Sequence, residues 1–221
     1  MTEYADEKIR RVINQAEEQA QIDNQNIYEG ITVTDKYYEF EEMAFFDDTL
    51  KIQIPINFID MPDEFARLKY LSSDRPQIIK TDDTGSINIT MNLVPQNIED
   101  QQILEVKEGV KSLLKQLNPS YLFLEEGVET IEEKTVGFFE FKSPTVDDSL
   151  FNLMFFVELN HNVMMGGFNS PYSQHVAWRP IARQIMQSIR ISPKTVETVA
   201  DNPDPRRDKQ VMDSMSMKKR Y

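Results

Sequence analysis

The chain has only two histidines, and they are the first residues to consider for metal or acid–base chemistry. His161 falls in a predicted hairpin turn, and His175 begins the last predicted helix, so the pair shows no metal-ligand spacing of the HExxH kind. We therefore predict turn and helix-cap roles for them. The absence of cysteine excludes disulfides, zinc-thiolate sites and thiol nucleophiles.

Adjacent acidic residues offer the second route to catalysis. Paired carboxylates can act as acid and base if burial raises the pKa of one of them. Most of the pairs fall in predicted turns, where acids are ordinary solvated residues. They are Glu41-Glu42, Asp47-Asp48, Asp82-Asp83, Glu125-Glu126, Glu132-Glu133 and Asp147-Asp148.

No GxSxG-type nucleophile motif occurs either. We therefore predict no catalytic residue, no metal site and no cofactor. The alternative is an enzyme or small-ligand binder that uses carboxylates in a cleft between sheet and helix.

Methionine is unusually frequent, with eleven residues in the chain. Its flexible thioether can repack around different apolar partners, as on promiscuous binding surfaces. If one face of the sheet is incompletely covered, Phe156, Met164 and Met165 are the candidate partner-binding residues. The alternative is that these side chains fill the core.

Strands are predicted where apolar and polar residues alternate between turn residues. Residues 50–55 alternate cleanly, and Asp82-Asp83-Thr84-Gly85 predicts a hairpin turn. Later in the chain the connections are short, which predicts an antiparallel β-meander. The predicted strands cover residues 43–46, 50–55, 77–81, 86–94, 121–131, 134–142, 150–159 and 163–168.

Four segments have helical patterns. A short helix opens at Met61-Pro62, with Phe65, Leu68 and Leu71 as its predicted buried side. The longest covers residues 98–117, and the last covers residues 173–190 with a single apolar face that includes Trp178. A thin apolar stripe predicts a further helix before residue 21.

The segment 150–168 is apolar at nearly every position, so both faces of its two strands must be covered. Antiparallel sheets usually leave one face in water. We therefore predict an α+β fold, an α/β/α sandwich in which helices cover both faces of a central antiparallel sheet and this hairpin lies near its middle. An alternative is that the extra apolar face lies against another subunit of a homo-oligomer.

The compact domain is predicted over residues 41–191. Residues 1–40 would form an N-terminal helix and an acidic linker, and residues 192–221 a polar, disordered tail. The formal net charge of -13 makes nucleic acid and anionic membrane surfaces poor partners. No apolar run reaches the ~18 residues of a spanning helix, and the N-terminus lacks the order of a secretory signal, so a cytoplasmic location is expected.

The order of these elements, with IPINFIDMPDEF early and VGFFEFKSPTVDDSLFNLMFFVELNHNVMMGGFNSP late, resembles the PsbP-like superfamily and, within it, the bacterial DcrB-related proteins. The resemblance covers about residues 43–191 and carries no catalytic motif. It implies an antiparallel sheet between helices. No functional residue of the family transfers to a position of this chain.

The resemblance also implies binding rather than catalysis. Members of the superfamily include photosystem subunits, a Ran-binding nuclear-transport factor and adaptor chaperones of type VI secretion effectors, which are thought to shield apolar segments. The sequence therefore predicts a non-enzymatic protein-binding module with another protein as partner, and an adaptor or chaperone for an apolar client segment as its specific role.

Overall fold

The computed structural model describes residues 25–70 and 75–192. Its centre is a seven-stranded antiparallel sheet of β5 (Ile59–Asp60), β6 (Ile78–Thr81), β7 (Asn88–Val94), β8 (Leu122–Ile131), β9 (Lys134–Pro144), β10 (Ser149–Leu159) and β11 (Asn162–Pro171). Their order across the sheet is β5-β6-β7-β11-β10-β9-β8. The hairpin of β10 and β11 lies near the middle, as predicted.

Two smaller sheets lie beside it. One pairs β1 (Ile31–Val33) with β2 (Lys36–Tyr38), and the other joins β3 (Phe40–Phe45), β4 (Leu50–Pro55) and β12 (Arg190–Ile191). The helices are α1 (Asp63–Lys69), α2 (Ile103–Leu117) and α3 (His175–Gln187). Short 3₁₀ turns at Asp100–Gln102 and Tyr172–Gln174 lead into α2 and α3.

Strand β10 shows why the segment is apolar at nearly every position. Phe151 and Phe155 face one core cluster, while Phe156 faces a second cluster on the opposite side of the sheet. Helix α3 and strand β4 cover the first face, and α2 covers the second. The predicted α/β/α arrangement is confirmed.

The predicted face of the last helix is also confirmed, because its apolar stripe is buried against the first cluster. The side chains of this stripe are almost fully buried because the helix packs directly on β10 and β11. The buried residues of α3 are Trp178, Ile181, Ala182, Ile185 and Met186.

The predicted linker before residue 41 is wrong for its described part. Ile27, Ile31, Val33 and Tyr38 are all buried in the first cluster, so residues 26–38 belong to the compact domain. Their apolar positions are too widely spaced by polar residues to form a continuous pattern, but the β1–β2 hairpin brings them onto one face. The predicted N-terminal helix and the C-terminal tail from residue 193 lie outside the described residues.

The predicted buried side of α1 is wrong as well. Phe65 and Leu68 are 62% and 75% exposed, whereas Ala66 is buried. The helix packs through Ala66, together with Met61 and Tyr70, onto Ile79 of β6. Leu71, the third residue of the predicted face, lies outside the described residues.

Candidate functional site

Helix α2 covers only part of its face of the sheet. It packs over β9 and β10, while α1 packs on β6 at the other side of the same face. Between the two helices, the described residues leave a shallow hollow of about 280 Å³ on the sheet. We call this surface the sheet trough, and its floor consists of Thr90, Asn92, Asn152, Met154, Met165, Gly167 and Asn169.

The strand register explains the composition of the floor. Side chains of paired residues lie side by side on one face of a sheet, and the next row lies two residues along. One row contains Thr90, Gly167 and Met154, and the next contains Asn88, Asn169 and Asn152. The row on the other side of Met154 contains Asn92 and Met165. Amides therefore lie at both ends of the sheet trough, with Met154 in the middle row and Met165 beside Asn92.

Hydrogen bonds hold the amides of the floor in place. Asn169 Oδ1 accepts from Nδ2 of the buried Asn88 at 2.9 Å. Asn152 Nδ2 donates to Ser143 Oγ at 2.9 Å, which leaves its oxygen as an acceptor. None of the seven floor residues is charged, so the surface offers apolar contact and neutral hydrogen bonding.

Helix α2 forms a wall beside the floor. Val106, Gly109, Val110 and Leu113 border a second hollow of about 370 Å³ on the side of the helix that faces away from β8. Val106 and Val110 also pack against the cluster that contains Met154 and Met165. The apolar surface is thus continuous from the sheet onto the helix.

The three predicted partner-binding residues are separated by the structure. Adjacent residues of a strand point to opposite faces, so Met164 lies in the first cluster and Met165 in the second. Met164 and Phe156 are fully buried at 0% exposure and therefore present no surface to a partner. Met165 is half-buried in the sheet trough. Met154, which the prediction omitted, is beside it.

The buried carboxylates do not meet in one pocket. Glu140 on β9 accepts hydrogen bonds from Arg179 Nε at 2.7 Å and lies 3.2 Å from Arg183 Nε. Burial raises the pKa of Glu140, while the two guanidinium groups oppose this. Asp82 accepts a hydrogen bond from the Ile87 amide at the β6–β7 turn.

Glu158 is the third buried carboxylate, and it pairs with Lys134 and accepts a hydrogen bond from the His161 amide. These three acids are on different elements and each is bonded within the fold. The adjacent pair Glu125 and Glu126 is divided between the two faces: Glu125 pairs with Arg183 at 2.7 Å, and Glu126 with Lys107 at 3.0 Å.

The histidines occupy the predicted elements. His161 is in the β10–β11 turn, 3.6 Å from Glu99, and His175 begins α3 with its Nδ1 2.7 Å from the Tyr172 carbonyl. Within residues 25–70 and 75–192, no group of three or more His, Asp or Glu side chains is arranged to hold a metal ion. None of the helices in the described ranges has the length and apolar character of a membrane span.

Comparison with known proteins identifies the fold. No family model and no curated protein sequence matches the chain. The solution structure of cyanobacterial PsbP from Synechocystis sp. PCC 6803 superposes with a TM-score of 0.54 at 8% identity, over 69% of this chain and 92% of that one.

Two further solved structures are similar at lower scores. LpqN of Mycobacterium tuberculosis, described as involved in cell envelope biogenesis, has a TM-score of 0.47 at 12% identity, over 73% of this chain and 95% of that one. A Pseudomonas aeruginosa protein of unknown function, described as a putative regulator, has a TM-score of 0.43 at 10% identity, over 70% of this chain and 98% of that one. The described chain shares the PsbP-like fold.

Proposed function

We propose that the protein is a non-enzymatic binding module that holds an apolar segment of another protein in the sheet trough. The observation that supports this most directly is the strip of sheet between α1 and α2 that the described part of the chain does not cover. Its two half-buried methionines, Met154 and Met165, belong to a floor without charged side chains.

The chemistry of the sheet trough favours this class of ligand. Burial of apolar surface contributes about 25 cal/mol per Å², and the flexible thioethers adapt to differently shaped side chains. The neutral amides of Asn152 and Asn169 can bond the main chain of a bound segment. A charged ligand would lose its hydration without gaining an opposite charge on the floor.

The more specific role is an adaptor or chaperone for such a segment in the cytoplasm. It is supported by the sequence resemblance to the PsbP-like superfamily, which implies adaptor chaperones that are thought to shield apolar segments. The net charge of -13 favours a protein partner over nucleic acid, because a negatively charged surface repels the phosphate backbone. The carboxylate-cleft alternative has less support, because Asp82, Glu140 and Glu158 each serve a separate internal contact.

The test is capture of partners by the immobilised 221-residue chain from a lysate of its source organism. Met165→Asp places a charge on the floor, and Leu124→Asp places one on β8, outside the sheet trough, at a residue that is 41% exposed. We expect partners captured by the wild-type chain to be retained by Leu124→Asp and lost by Met165→Asp.

Circular dichroism of each variant distinguishes lost binding from lost folding. Met165→Asp should keep the wild-type spectrum because its side chain is only half-buried. Met164→Asp should unfold, since its side chain is fully buried. Equal capture by the wild-type chain and a folded Met165→Asp variant would show that the sheet trough is not the binding site.

A further inference from the structure

The two edges of the seven-stranded sheet differ in length. Strand β5 forms one edge and has two residues, whereas β8 forms the other edge and has ten. Among the described strands, β8 pairs only with β9, so one side of its backbone has no strand neighbour there. Such an edge presents a row of N–H and C=O groups that can pair with a strand of another chain.

Strand β8 has few of the features that block such pairing. Edge strands are usually protected by lysine, proline, bulges or very short length. Residues 122–131 contain no lysine and no proline. A bulge lies between Phe123 and Glu126, but from Glu126 to Ile131 the register with β9 is continuous. The second half of β8 can therefore accept a further strand.

The carboxylates of β8 are already paired with cations of the same chain. On one face of the strand, Glu126 accepts hydrogen bonds from Lys107 and Lys111. On the opposite face, Glu125 accepts from Arg183 at 2.7 Å. These ion pairs reduce the negative charge that an incoming strand would meet.

The sequence of β8 is complementary to a second copy of itself in one register. Two copies related by a twofold axis perpendicular to the sheet pair antiparallel. Because directly paired residues point to the same face, the axis passes through a residue and not between two. With the axis at Val128, this side chain lies opposite its own copy and Glu126 lies opposite Thr130. Gly127 then lies opposite Glu129, so no two of these carboxylates are opposed.

The neighbouring axes are less favourable. An axis at Glu129 would place this carboxylate opposite its own copy, and an axis at Gly127 would place Glu125 opposite Glu129. Like charges directly opposite each other destabilise a sheet. An axis at Thr130 would pair only residues 129–131 of the strand.

We infer that two copies of the chain pair antiparallel through β8, about a twofold axis at Val128, and join their sheets into one. The contact covers Val128, which is 46% exposed in the single chain. A contact through one strand is small, so the dimer is weak and depends on concentration. The inference does not depend on the proposed binding function, because β8 contributes no residue to the sheet trough.

Sedimentation equilibrium of the 221-residue chain tests the association. We expect the mass to rise from that of one chain toward that of two as the concentration increases. Val128→Lys should keep the chain monomeric, because two lysines would lie opposite each other. The matched control is Val146→Lys in the β9–β10 loop, at a residue that is 99% exposed, and it should associate like the wild-type chain.

Circular dichroism shows whether the Val128→Lys variant is folded, as expected for a partly exposed residue. A wild-type chain that stays monomeric at about 1 mM would overturn the inference, since at that concentration even a dimer with a dissociation constant of about 1 mM is populated. A dimer that a folded Val128→Lys variant retains would also overturn it.

Single cysteine substitutions test the register, since the chain has no natural cysteine. In the paired copies, Val128→Cys places two Cβ atoms about 5 Å apart. Thr130→Cys, on the same face of the same strand, places the two thiols about 13 Å apart along the strand direction. Mild oxidation should therefore link Val128→Cys chains at least about tenfold faster than Thr130→Cys chains, because only the first pair of thiols is held together.

A mixture of Glu126→Cys and Thr130→Cys chains should form the mixed disulfide faster than either variant links to itself. Non-reducing gel electrophoresis measures all of these rates. Equal rates for Val128→Cys and Thr130→Cys would overturn the pairing about Val128.

Discussion

The ring of Tyr38 packs edge-on against the indole of Trp178, with centroids 5.1 Å apart and an angle of 76° between the planes. Edge-to-face contact is a favoured geometry for aromatic pairs. Tyr38 ends β2 and Trp178 is on α3, so this contact joins the N-terminal hairpin to the helix that covers the first face of the sheet. The hairpin is therefore an integral part of the core.

Because of this contact, we expect Tyr38→Ala to lower the free energy of unfolding substantially. Removing a buried aromatic side chain costs about 3 kcal/mol of unfolding free energy, and Tyr38 is only 4% exposed. Urea denaturation measures the loss. Trp178 is the only tryptophan, so its fluorescence emission should also shift to longer wavelength as water reaches the indole.

Tyr37→Ala is the matched control for this prediction. Tyr37 is the neighbouring residue of the same strand but is 55% exposed, and surface substitutions of this kind change stability by about 0.5 kcal/mol or less. Similar losses for the two variants would mean that the hairpin is not anchored through Tyr38.

Replacing glycine by alanine should have opposite effects on stability at Gly166 and at Gly109. A Cβ on Gly166 would lie 2.0 Å from the Phe155 ring, which is buried on the paired strand, so Gly166→Ala forces the ring out of its packing. Overpacking of this kind costs about 1–3 kcal/mol. Gly109 in α2 has open space at its Cβ position, and Gly109→Ala should stabilise the chain by about 0.5–1 kcal/mol.

Thermal unfolding of both variants beside the wild-type chain measures the difference. The melting temperature should fall for Gly166→Ala and rise for Gly109→Ala. A rise for both would show that the Phe155 ring moves aside without loss of packing.

Glu126 should make the stability of the folded chain depend on pH. Its hydrogen bonds with Lys111 and Lys107 lower the pKa of this carboxyl below the usual value of 4.5. The ionised carboxylate therefore stabilises the folded chain above that value, and the contribution is lost as the pH falls through the lowered pKa. Glu126→Gln should reduce the melting temperature at neutral pH.

The comparison across pH separates this effect from a change of packing. The melting temperatures of Glu126→Gln and the wild-type chain should converge as the pH falls below the lowered pKa of Glu126, where the carboxyl is protonated in both folded and unfolded states. A difference that stays constant over the whole acid range in which the chain is folded would assign the role of Glu126 to packing alone.

Much of the architecture follows from local patterns. Residues 50–55 alternate strictly, and the structure has β4 at Leu50–Pro55. The apolar stripe of the last helix includes Trp178 and Ile185, and both are buried. Side-chain periods of 2 and 3.6 are properties of the backbone alone, so such patterns determine which face of an element is buried once the element forms.

The candidate site was only partly predictable for the same reason. The run of methionines pointed to the central hairpin, but alternation along β11 sends Met164 into the core and leaves Met165 in the sheet trough. Met154 joins it from β10 through the register of the two strands. A sequence shows which residues share a face, not where a helix stops covering that face.

The strand and helix periods, the two apolar faces of β10 and the lack of cysteine chemistry can be read from the amino-acid order alone. Only the packed fold shows that residues 26–38 join the core, that Phe65 and Leu68 face solvent, and that the described parts of α1 and α2 leave a strip of sheet between them. Periodicity depends on neighbours along the chain, whereas burial depends on which distant elements come to lie above each face.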